Sequence, residues 1–262
     1  MLPVFAKDYY GRLCLRPLVQ LLFEQHFDYG VRNFCFIVGR GKRAIEDHFT
    51  PDHEFIQQLN SKGRNSRATE LEAFYRRVEA STITWMNQSK PRGFGDAVLQ
   101  SESVVGGEPF LVHAGDTYII SKTQGILKRL AEHHTRGAAA ATLVLQEVPN
   151  PSQYGVAELE EEEHDNVRVR SVLEKPTKPT SNLAIMPLYF FNPIIFEALR
   201  ATRPGKDGEI QLTDGIQKLI DAGHEVTAVR LREDDIRLDI GTPETYWEAL
   251  ELSHRHALSK ER

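Results

Sequence analysis

Short apolar runs rich in β-branched and aromatic residues alternate along this chain with longer segments of helical spacing. The apolar runs at 31–38 and 109–112 predict buried strands. Further strand candidates lie at residues 142–148, 167–173, 184–191 and 226–231. Between them, apolar residues recur every three or four positions, as in amphipathic helices. This spacing predicts a helix from Leu18 to about Gly30, further helices at 69–79, 95–104, 123–134, 193–200 and 210–222, and a last helix opening at Thr242.

Strands that alternate with helices of this length are typical of βαβ units. We therefore expect an α/β fold with a Rossmann-like, mixed and mostly parallel sheet flanked by helices. Ligands of such sheets bind at the carboxyl ends of the strands. We expect a single domain over residues 1–252, followed by a polar tail at 253–262 that frays.

Composition narrows the class of protein. The chain has 262 residues, of which 40% are hydrophobic and 26% are charged, as in an ordinary globular protein. Its net charge of −5 argues against a nucleic-acid binder with a broadly basic surface. Cys14 and Cys35 lack metal-ligand spacing and are interpreted as buried free thiols. No apolar run approaches the ~20 residues of a membrane span, and no secretory pattern is seen, so we expect a cytoplasmic protein without a membrane partner.

Two isolated carboxylates follow predicted strands. Asp116 comes after the strand at 109–112 and a glycine, and Asp239 lies between a strand and the last helix. Carboxylates at strand ends could converge on one Mg²⁺ that neutralises phosphate charge. Each could equally cap the helix that follows, and the spacing alone leaves both readings open.

Three other segments carry weaker signals. Glu174 and Lys175 precede a proline at a strand end, where a carboxylate can bind sugar hydroxyls and an ammonium can meet phosphate. The Gly-Phe-Gly-Asp-Ala segment at 93–97 would let a flat base approach the backbone, with Gln88 upstream as a hydrogen-bonding group. Taken alone, each segment favours a simpler reading: a solvated polar turn at 174–176, and a flexible loop with a helix start at 93–97. Gly39 and Gly41 follow a strand, but neither a phosphate loop nor a dehydrogenase fingerprint is completed, which favours a plain turn.

The order of these motifs resembles the sugar-1-phosphate nucleotidyltransferase family over essentially the whole chain. The stretches that carry the resemblance are Leu-Pro-Val at 2–4, Arg-Pro-Leu at 16–18, 93–98, Gly-Asp at 115–116, Tyr-Gly-Val at 154–156, Glu-Lys-Pro at 174–176, 181–184, Glu-Ile-Gln-Leu-Thr-Asp at 209–214 and Asp-Ile-Gly-Thr-Pro at 239–243. Within the family, the long stretch between Phe49 and Ser89, with its charged helix, looks like the prokaryotic enzymes that make UDP-glucose.

The resemblance implies a reaction and a set of roles. Glucose 1-phosphate would attack the α-phosphorus of UTP, with Mg²⁺ as cofactor and pyrophosphate leaving. The implied nucleotide-binding residues are Gln88, Gly93, Gly95 and Asp116, the metal ligands Asp116 and Asp239, and the sugar-phosphate residues Gly155, Glu174, Lys175, Asn182, Glu209 and Gln211. Lys175, Asp116 and Asp239 would form the catalytic set. Relatives are commonly dimers or tetramers, so a homo-oligomer is expected.

One departure from the family pattern lies at the start of the chain. Family members carry a first strand and a Gly-x-Gly-Thr-Arg loop ahead of Leu-Pro-Val, whereas Met1 stands directly before Leu2. We therefore expect the first strand and the Gly-rich loop to be missing, leaving Lys175 and Mg²⁺ as the main counter-charges. A misplaced start, a non-catalytic sugar-nucleotide-binding subunit and a strand from another chain all explain this, and thymidylyl transfer on the same fold is the alternative activity.

Overall fold

The structure is a computed structural model, and it describes residues 1–121, 125–137, 139–160, 167–205 and 208–259. The strands in these ranges are β1 (Pro3–Lys7), β2 (Leu13–Pro17), β3 (Asn33–Gly39), β4 (Thr82–Gln88), β5 (Phe110–His113), β6 (Thr117–Ile120), β7 (Ala141–Glu147), β8 (Gly155–Leu159), β9 (Val167–Glu174), β10 (Leu183–Phe191), β11 (Val226–Arg230) and β12 (Ile236–Asp239). The helices are α1 (Leu18–Tyr29), α2 (Arg43–His48), α3 (His53–Ser61), α4 (Asn65–Glu79), α5 (Phe94–Gln100), α6 (Glu102–Val105), α7 (Ile126–Gly137), α8 (Ile195–Ala201), α9 (Leu212–Asp221) and α10 (Pro243–Leu258).

The chain divides into two compact units, and the single domain expected over 1–252 stays a prediction. The first unit comprises Met1–Trp85, Gly115–Ile120 and Ile236–Arg262. The second comprises Met86–Ala114 and Ser121–Asp235. Among the described residues, no helix is both long and apolar enough to cross a bilayer.

An aromatic core holds the helices of the first unit. Phe23 on α1 packs edge-on against Phe49 and Phe74, and the cluster extends to residues of α3, α4 and β3. Helix α1 ends at Gly30 as predicted, because φ of 117° there is a conformation that a residue without a Cβ adopts readily. Residues 40–42 form an exposed turn before α2, which confirms the plain-turn reading of that glycine-rich segment.

Helix α10 joins two small sheets of the first unit. It packs on β1, which pairs with β2 in an antiparallel hairpin, and on β12, which pairs antiparallel with β6. Thr242 caps α10 as predicted, through a reciprocal hydrogen-bonded box with Thr245. The helix continues to Leu258 and buries Ser253, so most of the expected polar tail is helical. Residues 260–262 lie outside the described residues.

A six-stranded sheet, in the order β5-β10-β7-β11-β9-β8, forms the second unit. Only the β7–β11 pair is parallel among the strand pairs described in this sheet, since β10 runs antiparallel to β5 and β7, and β9 runs antiparallel to β8 and β11. The sheet is mixed, as expected, but the mostly parallel arrangement is not confirmed. The physical reason is that apolar runs show which segments are buried strands and do not show their direction.

The core of this second unit lies between the sheet and its helices. Strand β7 is buried from Ala141 to Leu145, and α8 and α9 pack over the sheet through residues such as Leu199 and Ile216. The predicted helix at 123–134 is present as α7 from Ile126, while Thr123 and Gln124 lie outside the described residues. This packing fixes the ends of β8 and β9 against the start of α9, where the candidate polar residues are found.

Candidate active site

The two predicted metal ligands are neighbours in the first unit. Asp239 is the last residue of β12. The antiparallel register places it opposite Thr117, which is the residue that follows Asp116 in the chain. The backbone N–H of Ile240 donates to the carbonyl oxygen of Asp116 at 2.9 Å, which ties the two turns together. Thr242 is the cap of α10, and Asp116 precedes a strand, so the helix-cap reading of both aspartates is wrong.

Both carboxylates border the space beside Gly241. A Cβ atom at position 241 would lie 3.2 Å from Asp239 Oδ1 and 3.9 Å from Asp116 Oδ2. Burial, and the charge of Asp239 beside it, raise the pKa of Asp116. Arg237 Nη1 donates to Asp239 Oδ2 at 3.3 Å. A buried carboxylate whose ionisation is opposed by a neighbouring carboxylate is one that a divalent cation would stabilise.

The carboxylate pair supplies only part of a coordination shell. Among the described residues, no group of three or more His, Cys, Asp and Glu is arranged to hold a metal ion. Mg²⁺ ordinarily binds through one or two carboxylates and completes its shell with water and substrate phosphates. The residues at Asp116 and Asp239 therefore fit Mg²⁺ better than they fit a metal that needs a closed protein cage.

A second group of polar residues lies at the end of β9 in the second unit. Gly155 pairs with Glu174 across β8 and β9, and Thr213 Oγ1 on α9 donates to Glu174 Oε2 at 2.7 Å. A Cβ at position 155 would lie 2.8 Å from Thr213 Oγ1 and 3.1 Å from Glu174 Oε2. Only glycine therefore leaves this carboxylate room to hold its hydrogen bond.

Lys175 has an unusual backbone conformation beside this carboxylate. Its φ is 40°, and among the described residues it is the single non-glycine residue with positive φ. A left-handed lysine costs free energy, and such residues cluster at functional sites where the surrounding structure holds them. The backbone N–H of Lys175 donates to Tyr154 O at 3.0 Å, and its side chain is 63% exposed with Nζ 3.8 Å from Glu174 Oε1.

The loop at 92–95 lies against the segment at 209–211. Ile210 N donates to Arg92 O at 2.7 Å, and Gly95 N donates to Ile210 O at 2.9 Å. Gly93 has φ of 100°, and a Cβ there would lie 2.6 Å from Ile210 O. These contacts bring the predicted nucleotide glycines next to Glu209 and Gln211, whose side chains are joined by a 2.9 Å hydrogen bond from Gln211 Nε2 to Glu209 Oε2.

Gln88, at the carboxyl end of β4, is held by the same loop. Its Nε2 donates to Asp96 Oδ2 at 2.7 Å and to Gly93 O at 3.2 Å. Asp96 is buried in the first turn of α5, with Arg92 Nε 3.5 Å from its Oδ1. The predicted base-binding residues Gln88, Gly93 and Gly95 are therefore brought together.

The structure does not connect every predicted residue to these clusters. The side chain of Asn182 is exposed, and its carbonyl oxygen accepts a hydrogen bond from Val148 N. Conversely, sequence reasoning gave no role to Thr213 or Asp96, although both stand inside motifs that were singled out. Their positions within those motifs were the only signal that could have found them.

The fold, the carboxylate pair and the clustered motifs define the class of protein. Residues 16–255 match the family described as nucleotidyl transferase. The chain therefore belongs to the nucleotidyl transferase family, as the sequence resemblance implied.

Individual relatives show which nucleotidyl transferases the chain is similar to. The chain is 34% identical over 208 residues to the UTP–glucose-1-phosphate uridylyltransferase of Bacillus subtilis, covering 78% of this chain and 70% of that protein. It is 32% identical over 262 residues to the enzyme of the same name from Pseudomonas aeruginosa, covering 98% of this chain and 88% of that protein. A UDP-glucose pyrophosphorylase solved in complex with UDP-glucose superposes with a TM-score of 0.79 at 28% identity, covering 92% of this chain and 88% of that one.

Proposed function

We propose that this protein transfers a uridylyl group from UTP to glucose 1-phosphate and releases pyrophosphate, giving UDP-glucose. The observation that carries the proposal is the 32% identity to a UTP–glucose-1-phosphate uridylyltransferase over 262 residues. The clustering of Glu174, Thr213 and Gly155 supports it, because a held carboxylate is a suitable acceptor for sugar hydroxyls.

In the proposed reaction, a phosphate oxygen of glucose 1-phosphate attacks the α-phosphorus of UTP in line with the departing pyrophosphate. Both reactants are anions, so catalysis consists mainly of positioning and charge neutralisation. Asp116 and Asp239 would hold Mg²⁺, which supplies neutralisation of phosphate charge. Lys175 would bind the sugar phosphate through its exposed ammonium group.

The remaining roles fall on the two polar groups of the second unit. Glu174 would accept hydrogen bonds from glucose hydroxyls, with Gly155 and Asn182 lining the same pocket. Glu209 and Gln211 would support the sugar site through their mutual hydrogen bond. Gln88, Gly93 and Gly95 would bind the uracil, as the resemblance to the family implies.

Pyrophosphate release from UTP and glucose 1-phosphate with Mg²⁺ tests the proposal directly. Lys175→Ala should lower kcat/KM by a factor of about 100, the scale expected for loss of a charged transition-state contact. Lys178→Ala is the matched control, because this lysine is also exposed and lies three residues further along the chain. It should behave as the unaltered protein does.

The same assay separates the alternatives. Faster turnover of dTTP than of UTP would replace the proposal with thymidylyl transfer. Binding of UDP-glucose without pyrophosphate release would favour a sugar-nucleotide-binding subunit. The absence of both turnover and UDP-glucose binding would overturn the proposed function.

The compartment, the oligomeric state and the partners are proposed from the family alone. We expect a cytoplasmic homo-oligomer, a dimer or a tetramer, that acts on small-molecule substrates and binds no nucleic acid. Sedimentation equilibrium of the full chain measures the oligomeric state.

A further inference from the structure

The side-chain amide of Gln88 is fixed by two groups that can only accept. Its Nε2 lies 2.7 Å from Asp96 Oδ2 and 3.2 Å from the carbonyl oxygen of Gly93. A carboxylate and a backbone carbonyl both lack a proton to offer, so the amide must turn its NH₂ group toward them. Its Oε1 is thereby directed away, and the structure gives that oxygen no hydrogen-bond partner among the residues it describes.

Asp96 is built rigidly into this position. Its residue is 4% exposed and lies in the first turn of α5, where the helix N-terminus favours a negative charge. The turn is anchored by the 2.9 Å hydrogen bond from Gly95 N to Ile210 O. Arg92 Nε approaches Asp96 Oδ1 at 3.5 Å, so the carboxylate has a cation beside it and one oxygen left for Gln88.

We propose that Asp96 is a specificity-determining residue, which sets the direction of the Gln88 amide so that only its acceptor oxygen faces the pyrimidine. The inference rests on the proposed function, because it requires that Gln88 contacts the base of the nucleoside triphosphate. Asp96 does not touch the base. It is a positioning residue that acts through Gln88.

The chemistry of the bases turns this orientation into selectivity. Uracil and thymine carry a donor, N3–H, where cytosine carries the N3 acceptor. Gln88 Oε1 accepts from N3–H, but it repels the lone pair of cytosine N3. A free glutamine would reverse its amide and serve either base, and Asp96 prevents that reversal, because a reversed amide would set Oε1 against a carboxylate oxygen.

The test compares kcat/KM for UTP, dTTP and CTP in the full protein and in Asp96→Asn. The asparagine has nearly the same shape and offers both a donor and an acceptor, so the two amides can reverse together. The ratio of kcat/KM for UTP to kcat/KM for CTP should fall by about tenfold, the scale of one mispaired hydrogen bond. The ratio of UTP to dTTP should stay constant, since both bases present N3–H.

Arg92→Gln is the matched control. It removes the cation next to Asp96 and leaves the carboxylate that accepts from Gln88, so the ratio of UTP to CTP should be kept. If Asp96→Asn does not fold, as judged by circular dichroism, Asp96→Ser replaces it. Serine is smaller at a buried position, and its hydroxyl both donates and accepts.

The outcomes separate the inference from the function on which it rests. Failure of the unaltered protein to turn over UTP would remove the proposed function. Turnover of UTP by the unaltered protein, with an equal loss for all three nucleotides in the Asp96 variants, would show that Asp96 is merely structural and would overturn the inference. A selective gain for CTP relative to UTP supports it.

Discussion

Thr213 Oγ1 donates a 2.7 Å hydrogen bond to Glu174 Oε2, linking the start of α9 to the end of β9. Thr213 is 6% exposed and the Glu174 side chain is 21% exposed, so this bond is partly shielded from competing water. The other carboxylate oxygen, Oε1, faces the Lys175 ammonium at 3.8 Å. One oxygen of Glu174 is thus held by the protein, which fixes the direction of the carboxylate.

Removing the hydroxyl of Thr213 should therefore weaken sugar binding. We expect Thr213→Val, which keeps the shape of the side chain, to raise KM for glucose 1-phosphate by about tenfold, because Glu174 loses one buried hydrogen bond. KM for UTP should change little. Thr213→Ser retains the hydroxyl and should keep most of the affinity for glucose 1-phosphate. Steady-state kinetics with each substrate varied in turn measures both KM values. The same KM for glucose 1-phosphate in the two variants would refute the prediction.

The buried strands of this fold were predictable from the chain. Strand candidates at 142–148, 167–173, 184–191 and 226–231 lie within one residue of the starts and ends of β7, β9, β10 and β11, although β9 is not buried throughout and has exposed residues along its length. Strands covered on both faces are apolar throughout, and this pattern is the strongest that a strand leaves in a sequence. The same segments do not show the direction of each strand. The expectation of a mostly parallel sheet therefore rested on the alternation of strands with helices.

Strands with exposed residues were missed for the opposite reason. β1 and β2 are each five residues long, and Leu13 and Leu15 of β2 are exposed. β4 has the sequence Thr-Ile-Thr-Trp-Met-Asn-Gln and no fully buried residue. Short or half-covered strands depend on their partners more than on their own composition, and the partners are not visible in a sequence read segment by segment.

The candidate site was predictable as a set of motifs and not as a set of contacts. Asp116 and Asp239 were paired by their positions after strands and by the family resemblance, and the β6–β12 register places Asp239 opposite Thr117, the residue that follows Asp116. The hydrogen bond between Thr213 and Glu174 joins residues 39 positions apart. No local pattern specifies such a partner, because the contact is created by the packing of α9 on β9.

Gly95 should tolerate no side chain. A Cβ there would lie 2.8 Å from Ile210 O and 3.1 Å from the carbonyl carbon of Gln211, and backbone atoms cannot rotate away. We expect Gly95→Ala to lower the free energy of unfolding by about 1–3 kcal/mol, the usual cost of overpacking. Gly107→Ala is the control, since nothing lies within 4 Å of its added Cβ. Equal urea midpoints for the two variants would contradict the prediction.

The buried charge of Asp116 should lower the stability of the folded protein. Burial and the neighbouring Asp239 raise its pKa, so the folded state holds the proton more tightly than the unfolded state does. The penalty is therefore present at neutral pH, shrinks as pH falls through the raised pKa of the folded state, and is gone below the pKa of the unfolded chain. We expect Asp116→Asn to abolish turnover and to raise Tm by a few degrees at pH 7 without Mg²⁺.

Two controls make the Asp116 prediction specific. The gain in Tm of Asp116→Asn over the unaltered protein should shrink as the pH becomes acidic. Asp234→Asn, at an exposed carboxylate of the β11–β12 connection, should leave Tm unchanged. If the Tm of Asp116→Asn at pH 7 equals or lies below that of the unaltered protein, the charge of Asp116 does not destabilise the fold.

His26 should make the first unit sensitive to mild acid. Burial lowers the pKa of this histidine, although its Nδ1 lies 2.7 Å from Leu22 O. The unfolded chain, with a histidine pKa near 6.5, then takes up a proton before the folded chain does, so stability falls as pH drops below about 6.5. Urea unfolding between pH 8 and pH 5.5 should show this loss, and His26→Gln should reduce it because glutamine does not titrate. His224→Gln, at an exposed position, is the control and should retain the full pH dependence. If the free energy of unfolding of His26→Gln depends on pH as steeply as that of the unaltered protein, the acid sensitivity arises elsewhere.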